Sequence, residues 1–336
     1  MTENGASVQI ILPGLFDLPL HELETGFVSN ELPGLNRILG LATLRDNQAY
    51  SIDAIIQRAL AQESSSPGLA MAQAFAAADE AEPARLILAE AVHLRADLHD
   101  AVVIPIPKTA DNIQDINLII NGLNDVFEVD YDLSVIADGV FLLRLMGYEA
   151  PTHYPQVLSV LGKTVNPYIE QSRQVLPWYR LLNEIQMYMH QHPVNAERIR
   201  QGRLPINSLW FWGAGERPAI ATRPRWFCDD VLLNRFAASL GLAVESCSSV
   251  GACEDFSDAL IVDLRLLQWL KAGLDTSLDE ILLDIERNLL APVLREFNES
   301  KLTLRLRAGF RHDFELRPTA KLKFWRRPGC LDAWQS

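Results

Sequence analysis

The sequence predicts an α/β protein whose doubly wound sheet core is interrupted by a smaller α+β unit. Short apolar runs alternate with helix-patterned segments in both the first and the last third of the chain, as in doubly wound folds. Between them lie strand-like runs, one amphipathic helix and a hairpin signal. At 336 residues, 49% of them hydrophobic, the chain is long enough to form both units.

The first part of the core is predicted from one strand and three helices. Val8–Leu12 (VQIIL) is a short apolar run typical of a buried strand, and a loop should follow it. Apolar residues at helical spacing predict helices over 35–44 and 52–60, the second capped by Ser51. The alanine-rich run 69–78 predicts a third helix.

The middle of the chain has the pattern of a separate α+β unit. Apolar runs at 84–94 and 101–106 predict strands, and 111–127 predicts an amphipathic helix. Two further strands flank Asp138-Gly139, which is a strong hairpin signal. Because strands and helices of doubly wound type resume only later, we expect this unit to be an insert in the core.

The rest of the chain returns to alternating strands and helices. Helices are predicted at 171–191, 231–240 and 278–297, and Gly241 is expected to close the second of them. Buried strands are predicted at 206–212 and 259–263, and edge strands at 302–306 and 321–324. The predicted domain boundaries are 1–82 for the first part of the core, 83–170 for the insert, 171–203 for connecting helices, and 204–336 for the second part of the core.

The charge balance argues against nucleic acid and membranes as partners. A formal net charge of −13 gives an average field that repels nucleic acid and anionic lipid surfaces. The N-terminus lacks a basic region followed by an apolar stretch, and no segment has the roughly 20 apolar residues of a membrane helix. We therefore expect a cytoplasmic protein. The irregular spacing of Cys228, Cys247, Cys253 and Cys330 favours free thiols.

One stretch, His192–Pro218, is distinctive: HPVNAERIRQGRLPINSLWFWGAGERP. It resembles the helix, turn and strand that lead to the WGAG-type loop in archaeal-type cofactor-independent phosphoglycerate mutases, which are members of the alkaline phosphatase superfamily. ILPGLFD at 11–17 resembles that family's first strand and DG-x-x-D loop, and SPGLAMAQAF at 66–75 resembles its nucleophile turn. The insert falls where the family carries its cap. The resemblance implies an alkaline-phosphatase-like core. A weaker resemblance, in HLRAD and WGAG, is to RpfE-type bacterial regulatory proteins.

Several positions depart from what this resemblance implies. The family's reaction uses two divalent metals held by Asp and His, and a Ser that accepts the phosphoryl group. Pro13 stands where the first metal-binding Asp would be, and Leu69 stands where the nucleophilic Ser would be. The run after Asp263 has no His, and the C-terminal region offers only His312-Asp313. We therefore expect no catalytic residues, no bound metal and no cofactor, with Mn²⁺ or Mg²⁺ required only if the chain is an enzyme after all.

Polar residues near the family's substrate pocket are candidates for binding an anion. They are His93, Arg95, Asn195, Arg198 and Arg217. Arginine suits this task because its planar fork binds phosphate or carboxylate through two hydrogen bonds. Surface or inter-domain ion pairs are the alternative interpretation of the same residues.

Three functions remain open at this point. The preferred one is a catalytically degenerate phosphoglycerate mutase-like protein, a pseudoenzyme with a binding or regulatory role that senses a phosphorylated small acid. One alternative is an active metal-dependent phosphoglycerate mutase or phosphohydrolase with a relocated site. The other is a structural protein-interaction module. The expected partner is accordingly a phosphorylated small molecule or another protein.

Overall fold

The computed structural model describes residues 6–19, 31–46, 51–60, 69–76, 85–97, 100–127, 131–147, 149–168, 176–215, 220, 222–273, 276–309, 312–322, 326–329 and 331. Contacts between residues divide the chain into two units. The first contains 1–50, 55–62 and 220–336, and the second contains 51–54 and 63–219.

The described strands are β1 (Ser7–Ile11), β2 (Thr43–Asp46), β3 (Leu86–Ala96), β4 (Ala101–Pro105), β5 (Tyr131–Ala137), β6 (Val140–Leu145), β7 (Ser208–Trp212), β8 (Arg225–Cys228), β9 (Val244–Glu245), β10 (Ala259–Val262), β11 (Thr303–Arg307) and β12 (His312–Leu316). The described α-helices are α1 (Pro33–Leu41), α2 (Ile52–Ala59), α3 (Ala110–Phe127), α4 (Val157–Val160), α5 (Leu176–Gln191), α6 (Pro193–Arg200), α7 (Val231–Ser239), α8 (Arg265–Ala272), α9 (Leu278–Asp284) and α10 (Ala291–Glu299).

The described strands of the first unit form a sheet in the order β2-β12-β11-β1-β10-β8-β9. The pairs from β11 to β9 are parallel, whereas β12 is antiparallel to both β11 and β2. The predicted strand at Val8–Leu12 is confirmed, and Val8 and Ile10 are fully buried in its centre. Central parallel strands are covered on both faces, which explains the nearly continuous apolar run.

Three local predictions for the first unit are wrong. The segment 302–306 was predicted as an edge strand, but β11 lies between β1 and β12. The segment 318–322, which overlaps the strand predicted at 321–324, is a 3₁₀ helix. The helix predicted over 35–44 ends at Leu41, and β2 follows it at the sheet edge. Short apolar runs specify neither the strand's neighbours nor the choice between helix and strand, so the sequence alone could not prevent these errors.

Buried polar groups fix the helices of the first unit. A π-helical segment, Ile285–Leu290, joins α9 to α10. Within it, the Glu286 carboxylate accepts the backbone N–H groups of Gly34 at 2.6 Å and Leu35 at 3.0 Å, two of the unsatisfied donors at the start of α1. At the end of α7, Gly241 has a φ of +75°, a left-handed conformation that closes the helix as its position predicts.

The second unit contains an antiparallel sheet. Strand β3 pairs with β4, β6 and β7, and β5 pairs with β6. The predicted hairpin is confirmed, with Asp138-Gly139 at its turn and a φ of +69° at Gly139. The predicted alanine-rich helix is wrong within 69–76, where the structure has only a short 3₁₀ turn at Ala72–Ala74.

Strand β7 corrects the predicted domain boundary. The core was predicted to resume at residue 204, but β7 pairs with β3 in the second unit, and the chain returns to the first unit at 220. All five side chains of β7 are buried. A strand that is apolar on both faces indicates burial without indicating which sheet it joins. The second unit therefore contains the predicted insert, the 171–203 helices and β7 together.

Candidate functional site

The carboxyl end of the first unit's parallel strands is the usual ligand-binding edge of an open α/β sheet. Strand β1 leads there into Pro13-Gly14, both buried. Gly14 has a φ of +91°, and a Cβ on it would lie 2.9 Å from Leu270 Cδ1 and 3.3 Å from the Leu267 backbone. The loop after β1 is thus closed by apolar groups of α8. Because Pro13 has a hydrocarbon side chain, it offers no metal ligand.

Asp263, which follows β10 at the same edge, is neutralised by an arginine. Its side chain is 2% exposed, and its Oδ2 lies 2.6 Å from Arg265 Nη2. The Arg265 Nε contacts both carboxylate oxygens at 3.1 Å, and its backbone N–H donates to Oδ1 at 3.0 Å. The other arm of Arg265 reaches Asp284 at 2.6 Å. A guanidinium therefore occupies the position at Asp263 where a cation would bind.

Arg265 stays protonated and positively charged in this site. Burial lowers the pKa of Arg265, but the hydrogen bonds and charges of Asp263 and Asp284 outweigh burial and raise its pKa above the ordinary value. The pattern Asp-x-Arg directly after a buried strand was the available sequence signal for this pair. Sequence reasoning missed it because the search was for metal-binding His and Asp.

The residues after β8 also have structural partners. Asp230 caps α7 with its side chain. Asp229 accepts the Ser246 hydroxyl at 2.7 Å and the backbone N–H of Cys247 at 3.2 Å. Burial raises the pKa of the Cys228 and Cys247 thiols well above their ordinary range, so both stay protonated. These acids and thiols hold the loops of this edge in place.

The C-terminal His312-Asp313 pair was considered as a leftover metal motif. The Asp313 carboxylate lies 2.7 Å from Arg307 Nη1 and is therefore paired with a cation of its own chain. Within the ranges that the structure describes, no group of three or more His, Cys, Asp or Glu side chains could hold a metal ion.

The second unit contains the turn that resembles the nucleophile turn. Leu69 is 1% exposed, and its carbonyl accepts the Met71 N–H at 2.6 Å. The turn packs on the loop after β7: the Ala72 N–H donates to the Gly213 carbonyl at 2.9 Å, and the Gln73 amide donates to the Gly215 carbonyl at 2.5 Å. Sequence resemblance in two separate segments thus corresponds to direct contact between them.

Three of the five anion-binding candidates meet at the short segment Leu204–Ile206. The His93 Nδ1 lies 2.9 Å from the Pro205 carbonyl. The Asn195 amide donates to the Ile206 carbonyl at 2.7 Å and accepts the Ile206 N–H at 2.7 Å. The Arg198 Nε donates to the Leu204 carbonyl at 2.8 Å. These side chains hold the segment that leads into β7.

Arg198 is also part of a buried ion network. Its Nη1 contacts the Asn112 amide oxygen at 2.8 Å and the Asp115 carboxylate at 2.6 Å, and Arg203 contacts the same carboxylate at 2.8 Å. Burial lowers the pKa of Arg198, and the hydrogen bond to Asp115 opposes this shift. No local sequence signal links these residues, since α3 and α6 are far apart in the chain.

Of the remaining two candidates, only Arg95 is described by the structure, and it does not contact this segment. Arg95 lies near the end of β3 with its side chain exposed, and it has no hydrogen-bond or ion-pair partner among the residues that the structure describes. Arg217 lies outside the described residues. Of the four described candidates, Arg95 is the one whose side chain is exposed and available to a ligand.

Comparison with known proteins extends the resemblance. No family model matches the chain. The 2,3-bisphosphoglycerate-independent phosphoglycerate mutase of Methanosarcina barkeri is 32% identical over 59 residues, which cover 18% of this chain and 15% of the relative. The probable 2,3-bisphosphoglycerate-independent phosphoglycerate mutase of Geobacter sulfurreducens is 27% identical over 63 residues, which cover 19% and 16%.

The chain has weak homology to the cofactor-independent phosphoglycerate mutases. The homologous segment spans less than a fifth of these relatives. Among solved structures, the PH0037 protein of Pyrococcus horikoshii aligns with a TM-score of 0.51 at 13% identity, over 96% of this chain and 90% of that one. The cofactor-independent phosphoglycerate mutase of Thermoplasma acidophilum aligns with a TM-score of 0.40 at 15% identity, over 93% and 90%.

The predicted α/β fold class, with a mostly parallel core sheet and a second α+β unit, is confirmed, and the PH0037 protein shares this fold. At this level of identity the structural likeness describes the fold and not the reaction. In the part of the chain that the structure describes, no helix is both long and apolar enough to cross a membrane.

Proposed function

We propose that this phosphoglycerate mutase-like protein has lost the family's reaction and acts by binding, in a regulatory role that responds to a phosphorylated small acid. The observation that carries the proposal is Leu69, a buried hydrocarbon at the position of the nucleophile. A hydrocarbon cannot accept a phosphoryl group, so a retained reaction would require a nucleophile from elsewhere.

The carboxyl edge of the first unit supports the same proposal. Metal-assisted phosphoryl transfer needs cations on the transferring oxygens and carboxylates that are open to hold them. Pro13 has no donor atom, and the Asp263 carboxylate is already bonded to Arg265. Releasing Asp263 for a metal would leave the guanidinium without its buried counter-ion.

The catalytic part of the proposal is tested with the purified full chain. We expect no interconversion of 3-phosphoglycerate and 2-phosphoglycerate, followed by NMR, in the presence of Mn²⁺ or Mg²⁺. Mass spectrometry under native conditions should find less than stoichiometric metal. An authentic cofactor-independent mutase assayed in parallel is the positive control. Turnover together with stoichiometric metal would contradict the proposal and favour an active enzyme with a relocated site.

The binding part is tested by thermal unfolding with 3-phosphoglycerate. We expect the ligand to raise the Tm of the wild-type chain. In Arg95→Ala this rise should be smaller, because the variant loses the contribution of ligand binding at Arg95 in the second unit. Arg200→Ala is the matched control, because Arg200 is exposed and pairs with Glu197 on its own helix. A chain whose Tm responds to no anion would instead favour a structural protein-interaction module.

A further inference from the structure

The first unit contains a cleft of about 330 Å³ lined mainly by arginines, here called the arginine cleft. The arginines come from β2, α2, β11 and the segment after β12, and they are Arg45, Arg58, Arg305, Arg307 and Arg317. Two acids of β12, Asp313 and Glu315, also line it. None of these arginines is among the anion-binding candidates predicted from sequence, and Asp313 belongs to the His312-Asp313 pair described above.

Strand register explains why these side chains lie together. Arg305 pairs across the β11–β12 ladder with Glu315, and Arg307 pairs with Asp313. Arg45 of β2 is opposite Asp313 on the other side of β12. Because side chains two apart on a strand point to the same face, these five residues form one continuous charged surface.

The cleft has more positive than negative charge. Glu315 is shared by Arg317 at 2.6 Å, Arg45 at 3.2 Å and Arg305 at 3.4 Å. Asp313 contacts Arg307 at 2.7 Å. Among the described residues that line the cleft, five arginines against two carboxylates leave a balance of +3, on a chain whose formal charge is −13.

Arg307 at the base of the cleft is buried and held in a fixed orientation. Its side chain is 6% exposed, and its Nη2 and Nε donate to the Gln9 amide oxygen at 3.0 and 3.3 Å. Burial lowers the pKa of Arg307, Asp313 opposes this shift, and the charges of Arg305 and Arg58 add to it, so that its pKa lies below the ordinary value. A further anion in the cleft would therefore stabilise this guanidinium.

The alternative interpretation is an ion network that only protects the edge of the sheet. Such protection needs charge along the strand, but it does not need an excess of cations or a buried guanidinium below them. Three arginines that share a single carboxylate repel one another, and bringing them together costs free energy unless another anion is bound.

We propose that the arginine cleft binds a small molecule carrying two or more phosphate charges. The planar guanidinium groups can donate paired hydrogen bonds to phosphate oxygens. The cleft volume of about 330 Å³ is in the range of small-molecule binding sites. The net negative charge of the chain disfavours a long polyanion such as nucleic acid. This inference does not rest on the loss of catalysis, because the cleft contains neither Leu69, Pro13 nor Asp263, although its Arg307 ends β11 at the carboxyl edge.

The test is calorimetric titration of the full chain with inorganic pyrophosphate at low ionic strength. The variant is Arg58→Gln/Arg305→Gln, since both side chains are largely exposed and their loss should leave the fold intact. The matched control is Arg287→Gln/Arg295→Gln, which removes the same charge from exposed positions of the same unit outside the cleft. We expect the variant to weaken pyrophosphate binding by about tenfold or more and the control by less than about twofold.

Several outcomes would overturn the inference. These are no binding by the wild-type chain, equal weakening in the variant and the control, and tighter binding of a single-stranded 20-mer than of pyrophosphate. Parallel titrations with inorganic phosphate, a nucleoside diphosphate and 3-phosphoglycerate identify which source of phosphate the cleft prefers. The Arg95-dependent rise in Tm is expected to persist in Arg58→Gln/Arg305→Gln, so the two binding proposals fail or succeed separately.

Discussion

A buried carboxyl group makes the stability of this protein dependent on pH. Asp53 lies in the first turn of α2, after Ser51, whose hydroxyl accepts the Ala54 N–H at 3.1 Å as the predicted cap. Asp53 is 1% exposed. Its Oδ2 accepts the Gln156 N–H at 2.8 Å, and its Oδ1 has no hydrogen-bond partner among the described residues. Burial raises its pKa from 3.8 to about 7, although the Gln156 N–H opposes this shift.

The direction of the pH effect follows from proton linkage. The folded state keeps the Asp53 proton up to about pH 7, whereas the unfolded chain releases it near its ordinary value of 3.8. The stabilisation is therefore complete below the unfolded value and is lost as pH rises through about 7. A difference of about three pKa units corresponds to about 4 kcal/mol, which is an upper limit for this group.

The perturbation that isolates this effect is Asp53→Asn, because the amide keeps an acceptor for Gln156 and cannot ionise. We expect its free energy of unfolding, measured by urea titration, to equal that of the wild type at about pH 3, below the unfolded pKa of 3.8, and to exceed it by about 2 to 4 kcal/mol at pH 8. Asp111→Asn is the control, an exposed acid in the first turn of α3. Identical pH profiles for Asp53→Asn and the wild type would refute the reasoning.

Two further substitutions test the second unit. Arg198→Met should lower the free energy of unfolding by about 3 kcal/mol, because it removes a buried guanidinium and leaves part of the charge of the partly buried Asp115 uncompensated. Arg200→Met on the exposed face of α6 should change it by less than about 0.5 kcal/mol. Gly213→Ala should cost about 1 to 3 kcal/mol, since its φ is +74° and the new Cβ would lie 2.9 Å from Met71 Cβ. Chemical denaturation measures all three, and equal effects for the two arginines would contradict the ion network.

Sequence patterns predicted the elements whose signals are local. The branched run of β1 predicted a buried strand, Asp138-Gly139 predicted the hairpin, and Gly241 predicted the end of α7. In each case a few adjacent residues determine the conformation through side-chain branching or a left-handed φ. The pairing partners of β7 and β11 could not be predicted in this way, because strand pairing depends on contacts between distant segments.

The candidate site likewise has features that the sequence indicated and features that it did not. Resemblance to one family's site singled out both the Leu69 turn and the Gly213 loop, but their contact was not predicted. The structural roles of Asn195 and Arg198 were not expected, since their partners are backbone carbonyls and α3 side chains without any motif. The arginine cleft had no signal either, because its residues are spread from position 45 to 317.

The pair of Asp263 and Arg265 has a consequence for how this protein depends on its surroundings. A metal ion at such a carboxylate can dissociate, exchange with other ions or be removed by a chelator. The Arg265 guanidinium is covalently part of the chain, two residues after Asp263, so it cannot be exchanged or removed by a chelator. The carboxylate has this counter-ion each time the chain folds. The buried Asp263 carboxylate therefore has a counter-ion that does not depend on the concentration of divalent cations.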